Sequence, residues 1–157
     1  MNKKALMVVI LIFTFLFVGC FKKENGNDYS YKKSLKPKQV VQNFFKYYDE
    51  KNKDKFLSTL TSHNKDTEWG FGNLKHINPN SIKEDKNPIQ KEAYIKYGRG
   101  TTNGVKEENV IIYKVDYDVK YRVSWIYPGE SGEYIKWFTL IRKDKNSPWL
   151  IDEIGEG

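Results

Sequence analysis

The chain has 157 residues, of which 15% are aromatic, and a formal net charge of +7. This length is enough for one domain with a sizeable core. Basic and acidic residues are interspersed and no stretch resembles a nucleic-acid-binding motif, so the positive charge does not indicate a nucleic-acid partner. The sequence also contains no glycine-rich phosphate loop, no catalytic serine–histidine–aspartate context and no metal-ligand spacing, so it predicts neither a cofactor nor a metal site.

The first nineteen residues are typical of a bacterial export signal. Two lysines precede an uncharged run of 14 residues from Ala5 to Val18, shorter than the roughly 20 residues that a membrane-spanning helix needs. The run ends in Phe17-Val18-Gly19-Cys20, which resembles a lipobox, although Phe17 stands where Leu, Val or Ile is usual. The alternatives are a secretory signal cut elsewhere and an uncleaved anchor. We expect residues 1–19 to be a lipoprotein signal peptide and Cys20 to carry the diacylglyceryl group.

Residues 20–36 are predicted to be the lipidated cysteine and a flexible tether, because they are rich in Lys, Asn and Ser and show no helical or strand period. Two acyl chains anchor a protein stably to a bilayer. The expected location is therefore the outer face of the cell membrane. Cys20 is the single cysteine, so a lipidated chain has no disulfide and no thiolate metal site.

Residues 37–157 are predicted to form one domain that opens with two helices. Pro37 suits the first turn of a helix, because the N–H that proline lacks would be unpaired there anyway. A second, short helix is predicted around Phe56, with Asn52 as its cap. The first helix requires a partner surface, since its apolar stripe is wide; the stripe consists of Val40, Val41, Phe44, Phe45 and Tyr48.

The middle of the chain has the weakest pattern. Residues 61–72 indicate a loop, and residues 74–85 a weak strand that is broken near Pro79. Residues 89–97 are ambiguous, with alternating apolar positions. The glycines at 98, 100 and 104 indicate a turn.

The strongest pattern covers Ile111 to Tyr127, where every odd position is apolar or aromatic. It predicts one β-strand with its odd positions on a core face and its charged even positions on a wet face. Such a strand spans about 50 to 55 Å, so it must bend or carry a bulge. After a turn at 128–132, residues 134–142 are apolar on both faces, as in a central strand, and residues 149–154 complete an antiparallel meander.

This order of elements resembles the nuclear-transport-factor-2-like fold, also called SnoaL-like. The resemblance rests on the helical segments 40–48 and 52–60 and on the closing strand Trp149-Leu150-Ile151-Asp152-Glu153-Ile154. More narrowly, residues 97–120 and 140–152 resemble a family of Firmicutes lipoproteins of unknown function. The resemblance implies an α+β domain whose N-terminal helices pack on a strongly curved antiparallel sheet, a cone that can hold a pocket at its open end.

Five aromatic residues form the candidate ligand pocket of this cone. They could stack on an apolar or sugar-like ligand, or they could be the packing layer beneath the first helix. Buried tyrosine hydroxyls need hydrogen-bond partners, which indicates that part of this face is wet. The five are Tyr113, Tyr117, Tyr121, Trp125 and Trp137.

No residue matches a catalytic motif. The resemblance implies that enzymes of this fold move protons with Asp or His inside the cone, but His63 and His76 fall in a polar loop and a weak strand. Asp116 and Asp118 share the wet face with basic residues, which favours cross-strand charge pairs over a cation site. The sequence therefore predicts a non-enzymatic domain that binds a small molecule or a protein, with a homodimer as a compatible arrangement. An isomerase or dehydratase is the alternative.

Overall fold

The computed structural model describes residues 35–126 and 129–156. The predicted signal peptide, Cys20, most of the tether and Tyr127 lie outside the described residues. Within the described ranges, no helix has the length and apolar character needed to cross a membrane. The elements are α1 (Pro37–Asp49), α2 (Lys53–Leu57), β1 (Leu74–Glu84), α3 (Pro88–Lys96), α4 (Gly100–Asn103), β2 (Val110–Tyr121), β3 (Gly132–Ile141) and β4 (Leu150–Gly155), with short 3-10 helices at Ser62–Asn64 and Glu107–Asn109.

The four strands form one antiparallel sheet in the order β1-β2-β3-β4. The α+β class, the C-terminal meander and the central place of β3 are therefore as predicted. β1 is a single strand rather than a broken one, with a shift of register between Pro79 and Ser81. Proline cannot donate a ladder hydrogen bond, and an edge strand such as β1 tolerates this loss.

Both predicted N-terminal helices are present. All five residues of the predicted stripe of α1 are buried, and the rings of Phe44 and Phe45 lie 5.3 and 5.5 Å from the ring of Phe138 in β3. In α2, the Asn52 side chain accepts a hydrogen bond from the Lys55 backbone N–H at 3.2 Å, which is the predicted N-cap.

The prediction that one strand continues to Tyr127 is wrong, because β2 ends at Tyr121. Beyond it, the Asn73 side chain takes the place of a strand partner. Its amide nitrogen donates to the backbone oxygens of Val123 and Ile126, both at 2.8 Å, and its oxygen accepts from the Val123 N–H at 2.9 Å. Since one side chain satisfies these backbone groups, the chain turns away from the sheet although the apolar alternation continues.

The predicted wet face of β2 is covered at one end. Val110 and Ile112 are buried there together with Tyr94 of α3, and Trp137 and Ile141 of β3 pack against them. The ambiguous segment 89–97 is thus a helix for most of its length, opened by Pro88 and capped by the Asn87 side chain, which accepts from the Ile89 N–H at 3.1 Å. At this end the sheet is buried on both faces.

Candidate functional site

Three of the five predicted pocket residues lie on the face of β2 that α1 covers. Tyr113 is buried in the main core, and Tyr117 packs against Phe45 with ring centroids 5.2 Å apart. Tyr117 also stacks on Tyr134 of β3 at 5.8 Å. Burial is the main reason that the pKa of Tyr117 lies above its ordinary value, so this tyrosine stays neutral.

The other two predicted residues lie elsewhere. Trp137 is paired with Lys114 across β2 and β3, and residues directly opposite each other share a face. Its indole N–H donates to Asp85 Oδ2 at 2.7 Å. Trp125 is 85% exposed in the turn after β2. The structure therefore does not bring the five residues into one pocket.

Tyr117 and Tyr121 do line a small cavity between α1 and the sheet. Its volume is about 170 Å³, below the roughly 300 to 1,000 Å³ typical of pockets for small molecules. Glu68 stands in its lining, with Oε1 accepting from the Gly70 N–H at 3.1 Å. The mostly apolar, aromatic lining fits the packing layer that was the second interpretation of these residues.

A larger cavity, of about 1080 Å³, lies on the other side of the sheet. We call it the Asp152 cavity. Its walls come from the segment after α2, from α4 and the residues that follow it, and from the turn between β3 and β4. No predicted pocket residue lines it, although His63 does.

Asp152 in β4 is the most constrained side chain in this cavity, being only 1% exposed. Thr61 Oγ1 donates to its Oδ1 at 2.8 Å. Its Oδ2 accepts from Tyr94 Oη at 2.6 Å, Arg99 Nε at 3.1 Å and Asn103 Nδ2 at 3.2 Å. A buried carboxylate is tolerated when it is paired and fully hydrogen-bonded, and here the donors join three separate segments to the edge of the sheet.

The same hydrogen bonds set the charge of Asp152. Burial alone would raise its pKa, but hydrogen bonds from Tyr94, Thr61 and Arg99, with the charge of Arg99, hold the pKa below its usual range. Burial and the bond to the carboxylate raise the pKa of Tyr94. At neutral pH the carboxyl is ionised and the phenol is protonated, so the pair has no proton poised for transfer.

Two arginines line the Asp152 cavity, and each is fixed through its Nε atom. Arg99 donates this N–H to Asp152, and Arg142 donates its own to Asn109 Oδ1 at 2.9 Å. The Arg142 guanidinium also lies 4.6 Å above the ring of Trp149. Within residues 35–126 and 129–156, the Nη atoms of both arginines have no hydrogen bond or ion pair.

The remaining charged residues of the lining make the cavity basic. Asp144 is engaged in its own turn, where Oδ1 accepts from the Asn146 N–H at 2.7 Å. That hydrogen bond is the main reason that the pKa of Asp144 is lowered. The lining contains six basic residues against three acidic ones, namely Lys65, Arg99, Lys106, Arg142, Lys143 and Lys145 against Glu108, Asp144 and Asp152.

The other histidine and aspartate residues singled out in the sequence form no catalytic or metal-binding cluster. His63 Nε2 lies 3.2 Å from the Asp152 backbone oxygen, and His76 Nδ1 lies 2.7 Å from Asp49 Oδ1. Asp118 accepts from the Asn80 side chain at 2.9 Å. In the described part of the chain, neither Asp116 nor Asp118 forms the expected cross-strand charge pair, because uncharged residues or Glu133 stand opposite them. Nor does that part contain a group of three or more His, Asp or Glu side chains that could hold a metal ion.

Comparison with known proteins gives one match. Residues 38–155 match the family described as a domain of unknown function, DUF4829. No curated protein and no solved structure matches the chain significantly.

Proposed function

The chain belongs to the DUF4829 family of domains of unknown function, and we propose that it is a membrane-anchored extracytoplasmic lipoprotein whose domain binds a ligand without catalysing a reaction. The ligand site is the Asp152 cavity. The N-terminus binds the membrane through a diacylglyceryl group on Cys20, and the tether of residues 20–36 holds the domain outside the cell.

One observation carries the binding role, the Asp152 cavity itself. Its volume, about 1080 Å³, is slightly above the roughly 300 to 1,000 Å³ typical of small-molecule sites. Its floor is held rigid by a carboxylate that accepts four side-chain hydrogen bonds. A preformed wall lowers the entropy lost on binding, which favours a binding site. A buried ion pair adds little net stability, so stability alone does not account for the buried charge of Asp152.

The finer fold in this proposal is the nuclear-transport-factor-2-like cone. Support comes from the element order, with two helices ahead of an antiparallel sheet, and from the ring contacts between α1 and β3. Further support comes from the small cavity that Tyr117 and Tyr121 line between α1 and the sheet. Its size limits it to a much smaller ligand than the Asp152 cavity.

A buried carboxylate beside a tyrosine also favours the alternative, an isomerase- or dehydratase-type enzyme. The hydrogen bonds weigh against it. Asp152 Oδ2 already accepts from three donors, and its lowered pKa makes it a weak base. A carboxylate that is saturated in this way positions neighbours and does not exchange a proton with a substrate.

A thermal unfolding screen tests the binding role. The full chain, extracted in a neutral detergent, is heated with lipids, wall sugars, peptides and organic acids while tryptophan fluorescence is recorded. A ligand of the native state raises the melting temperature as its concentration rises. Ser62→Trp should abolish the shift in melting temperature, because it places a large ring in the cavity lining. Ile89→Trp is the control and should leave the shift intact, because Ile89 is 66% exposed and lies outside both cavities. Equal shifts in the two variants would refute the assignment of the site.

Mass spectrometry tests the anchor independently. Protein extracted from membranes should begin at Cys20 and carry the mass of a diacylglyceryl group, and Cys20→Ala should leave the protein unlipidated. An intact signal peptide or an unmodified Cys20 would contradict the proposed location while leaving the binding role untouched.

A further inference from the structure

The Asp152 cavity contains two guanidinium groups that are already oriented but only partly used. Arg99 and Arg142 each donate through Nε to a buried side-chain oxygen, of Asp152 and Asn109 respectively. The planar fork of arginine binds a carboxylate or phosphate through two parallel hydrogen bonds, and these charge-assisted bonds are the strong ones. The Nη atoms of both arginines remain available to a ligand. Because the Nε hydrogen bonds already restrict the two side chains, they lose little conformational entropy when a ligand binds.

The charge around these arginines favours an anion. Basic residues of the lining outnumber acidic ones by six to three. Of the three acids, Asp152 forms an ion pair with Arg99, and Asp144 accepts hydrogen bonds within its own turn. With that ion pair set aside, five basic residues of the lining remain against two acidic ones. A ligand in the cavity therefore meets more unpaired positive than negative charge.

The size and the apolar part of the lining indicate that the anion has an organic body. Val105, Ile141 and Leu150 contribute apolar surface to the lining. Binding of a ligand with an apolar body is favourable there, because it removes this surface from water. The volume of about 1080 Å³ far exceeds what an inorganic ion fills. We propose that the cavity binds an organic anion that presents a phosphate or carboxylate group to Arg99 and Arg142. This inference rests on the proposed function and adds the ligand class.

Isothermal titration calorimetry with matched probes tests the ligand class. The full chain in neutral detergent is titrated with phenyl phosphate, benzoate, the neutral analogue benzamide, and inorganic phosphate. We expect the better of the two organic anions to bind at least about tenfold more tightly than benzamide, since hydrogen bonds between charged groups are roughly twice as strong as those between neutral groups. We also expect phenyl phosphate to bind more tightly than inorganic phosphate. Comparison of benzoate with phenyl phosphate shows which oxyanion the arginines prefer.

Arginine variants locate the site. Arg142→Gln should weaken the preferred anion about tenfold or more, and Arg99→Gln likewise. Arg122→Gln is the matched control, because Arg122 is exposed and lines neither cavity; it should change the affinity less than about twofold. If Arg99→Gln does not fold, Arg142→Gln and the salt dependence of the unmodified chain decide. Raising the salt from about 0.01 M to about 0.15 M shortens the Debye length from about 30 to about 8 Å and should weaken binding.

The outcomes separate the two proposals. If benzamide binds as tightly as the anions, or salt has no effect, the anion inference is wrong and the binding role stands. Equal losses in Arg122→Gln and Arg142→Gln would mean that the anions respond to overall charge, which overturns the assignment to this cavity. If no probe binds and no compound in the thermal screen raises the melting temperature, both proposals fail.

Discussion

On one face of the sheet, α1 and α2 contribute apolar side chains almost exclusively, whereas on the other face α3 and α4 hold a buried charge. The first face centres on Phe44, which has the rings of Phe45, Phe56 and Phe138 within 4.7 to 5.3 Å. The second centres on Asp152. Packing of the first kind is non-directional, so any residue of suitable size contributes.

The Asp152 face depends instead on direction. Its donors come from four positions between Thr61 and Asn103, and each must lie within hydrogen-bond distance of one carboxylate. The net contribution of such a network to stability is small, because burying the charge offsets much of the attraction. The comparison therefore assigns stability to the first face and the shape of the large cavity to the second.

The largest effect is expected on the apolar face. Phe138→Ala removes a 1% exposed ring that contacts both Phe44 and Phe45. It should lower the free energy of unfolding by about 3 to 5 kcal/mol, because the neighbours cannot fully fill the space. Urea denaturation measures this loss. Ile135→Ala in the same strand, at a 48% exposed position, should cost less than about 1 kcal/mol. Similar losses in the two variants would mean that burial of the Phe138 ring does not stabilise the core.

Loss of the buried charge should have a smaller effect on stability. Asp152→Asn keeps the shape but removes the charge that Arg99 faces and places an N–H₂ group among donors. We expect a loss of about 2 to 3 kcal/mol at pH 7, lower than for a fully buried ion pair because the Arg99 side chain is 33% exposed. A neutral result would mean that the cost of burying the charge cancels the stabilisation from its donors.

The pH dependence of this loss has a defined sign. The folded-state pKa of Asp152 lies below its ordinary value, so the unfolded chain binds the proton more readily. The stabilisation is therefore fully present above the ordinary carboxyl pKa, about 3.9, and is lost as the pH falls through the lower folded value. The difference between the unmodified chain and Asp152→Asn should shrink when urea denaturation is repeated at about pH 3. A difference that grows at acid pH would contradict the direction of the shift.

Removing a single hydroxyl from the Asp152 network should lower the free energy of unfolding less than Asp152→Asn does. Tyr94→Phe keeps the buried ring of α3 but removes the donor to Asp152 Oδ2. The expected loss is about 1 to 2 kcal/mol, the usual cost of leaving a buried acceptor one donor short. Tyr97→Phe, whose ring is 83% exposed, is the matched control and should change stability by less than about 0.5 kcal/mol.

Periodicity predicted the first face and missed the second for a physical reason. The stripe of α1 and the odd positions of β2 repeat with the period of their elements, so the apolar core could be located from local sequence. Asp152 and its donors are 49 to 91 residues apart in the chain, and no local pattern connects them. One signal was present: residues 134–142 are apolar on both faces, which requires a cover on each.

The same limit explains the pocket prediction. Alternation placed Tyr117 and Tyr121 on one face correctly, but the side of the sheet on which Trp137 lies depends on its pairing with Lys114. The end of β2 depends on Asn73, 48 residues before Tyr121. Trp125 consequently lies in a turn. Register and side-chain capping are long-range properties, and the apolar alternation from Val123 to Tyr127 carries no information about them.

The smallest effect is the coupling between the two faces. Phe45→Leu and Tyr94→Phe change α1 and α3, which lie on opposite faces and belong to separate buried clusters. Residues without shared partners usually have additive effects, so the double variant should differ from the sum of the single variants by less than about 0.5 kcal/mol.

Tyr94→Phe with Asn103→Ala is the internal comparison, because Asn103 Nδ2 donates to Tyr94 Oη at 2.7 Å and to Asp152. That pair should be non-additive by about 0.5 kcal/mol or more. Strong coupling between Phe45 and Tyr94 would mean that the sheet transmits strain from the apolar core to the cavity, and that the two faces do not have separate roles.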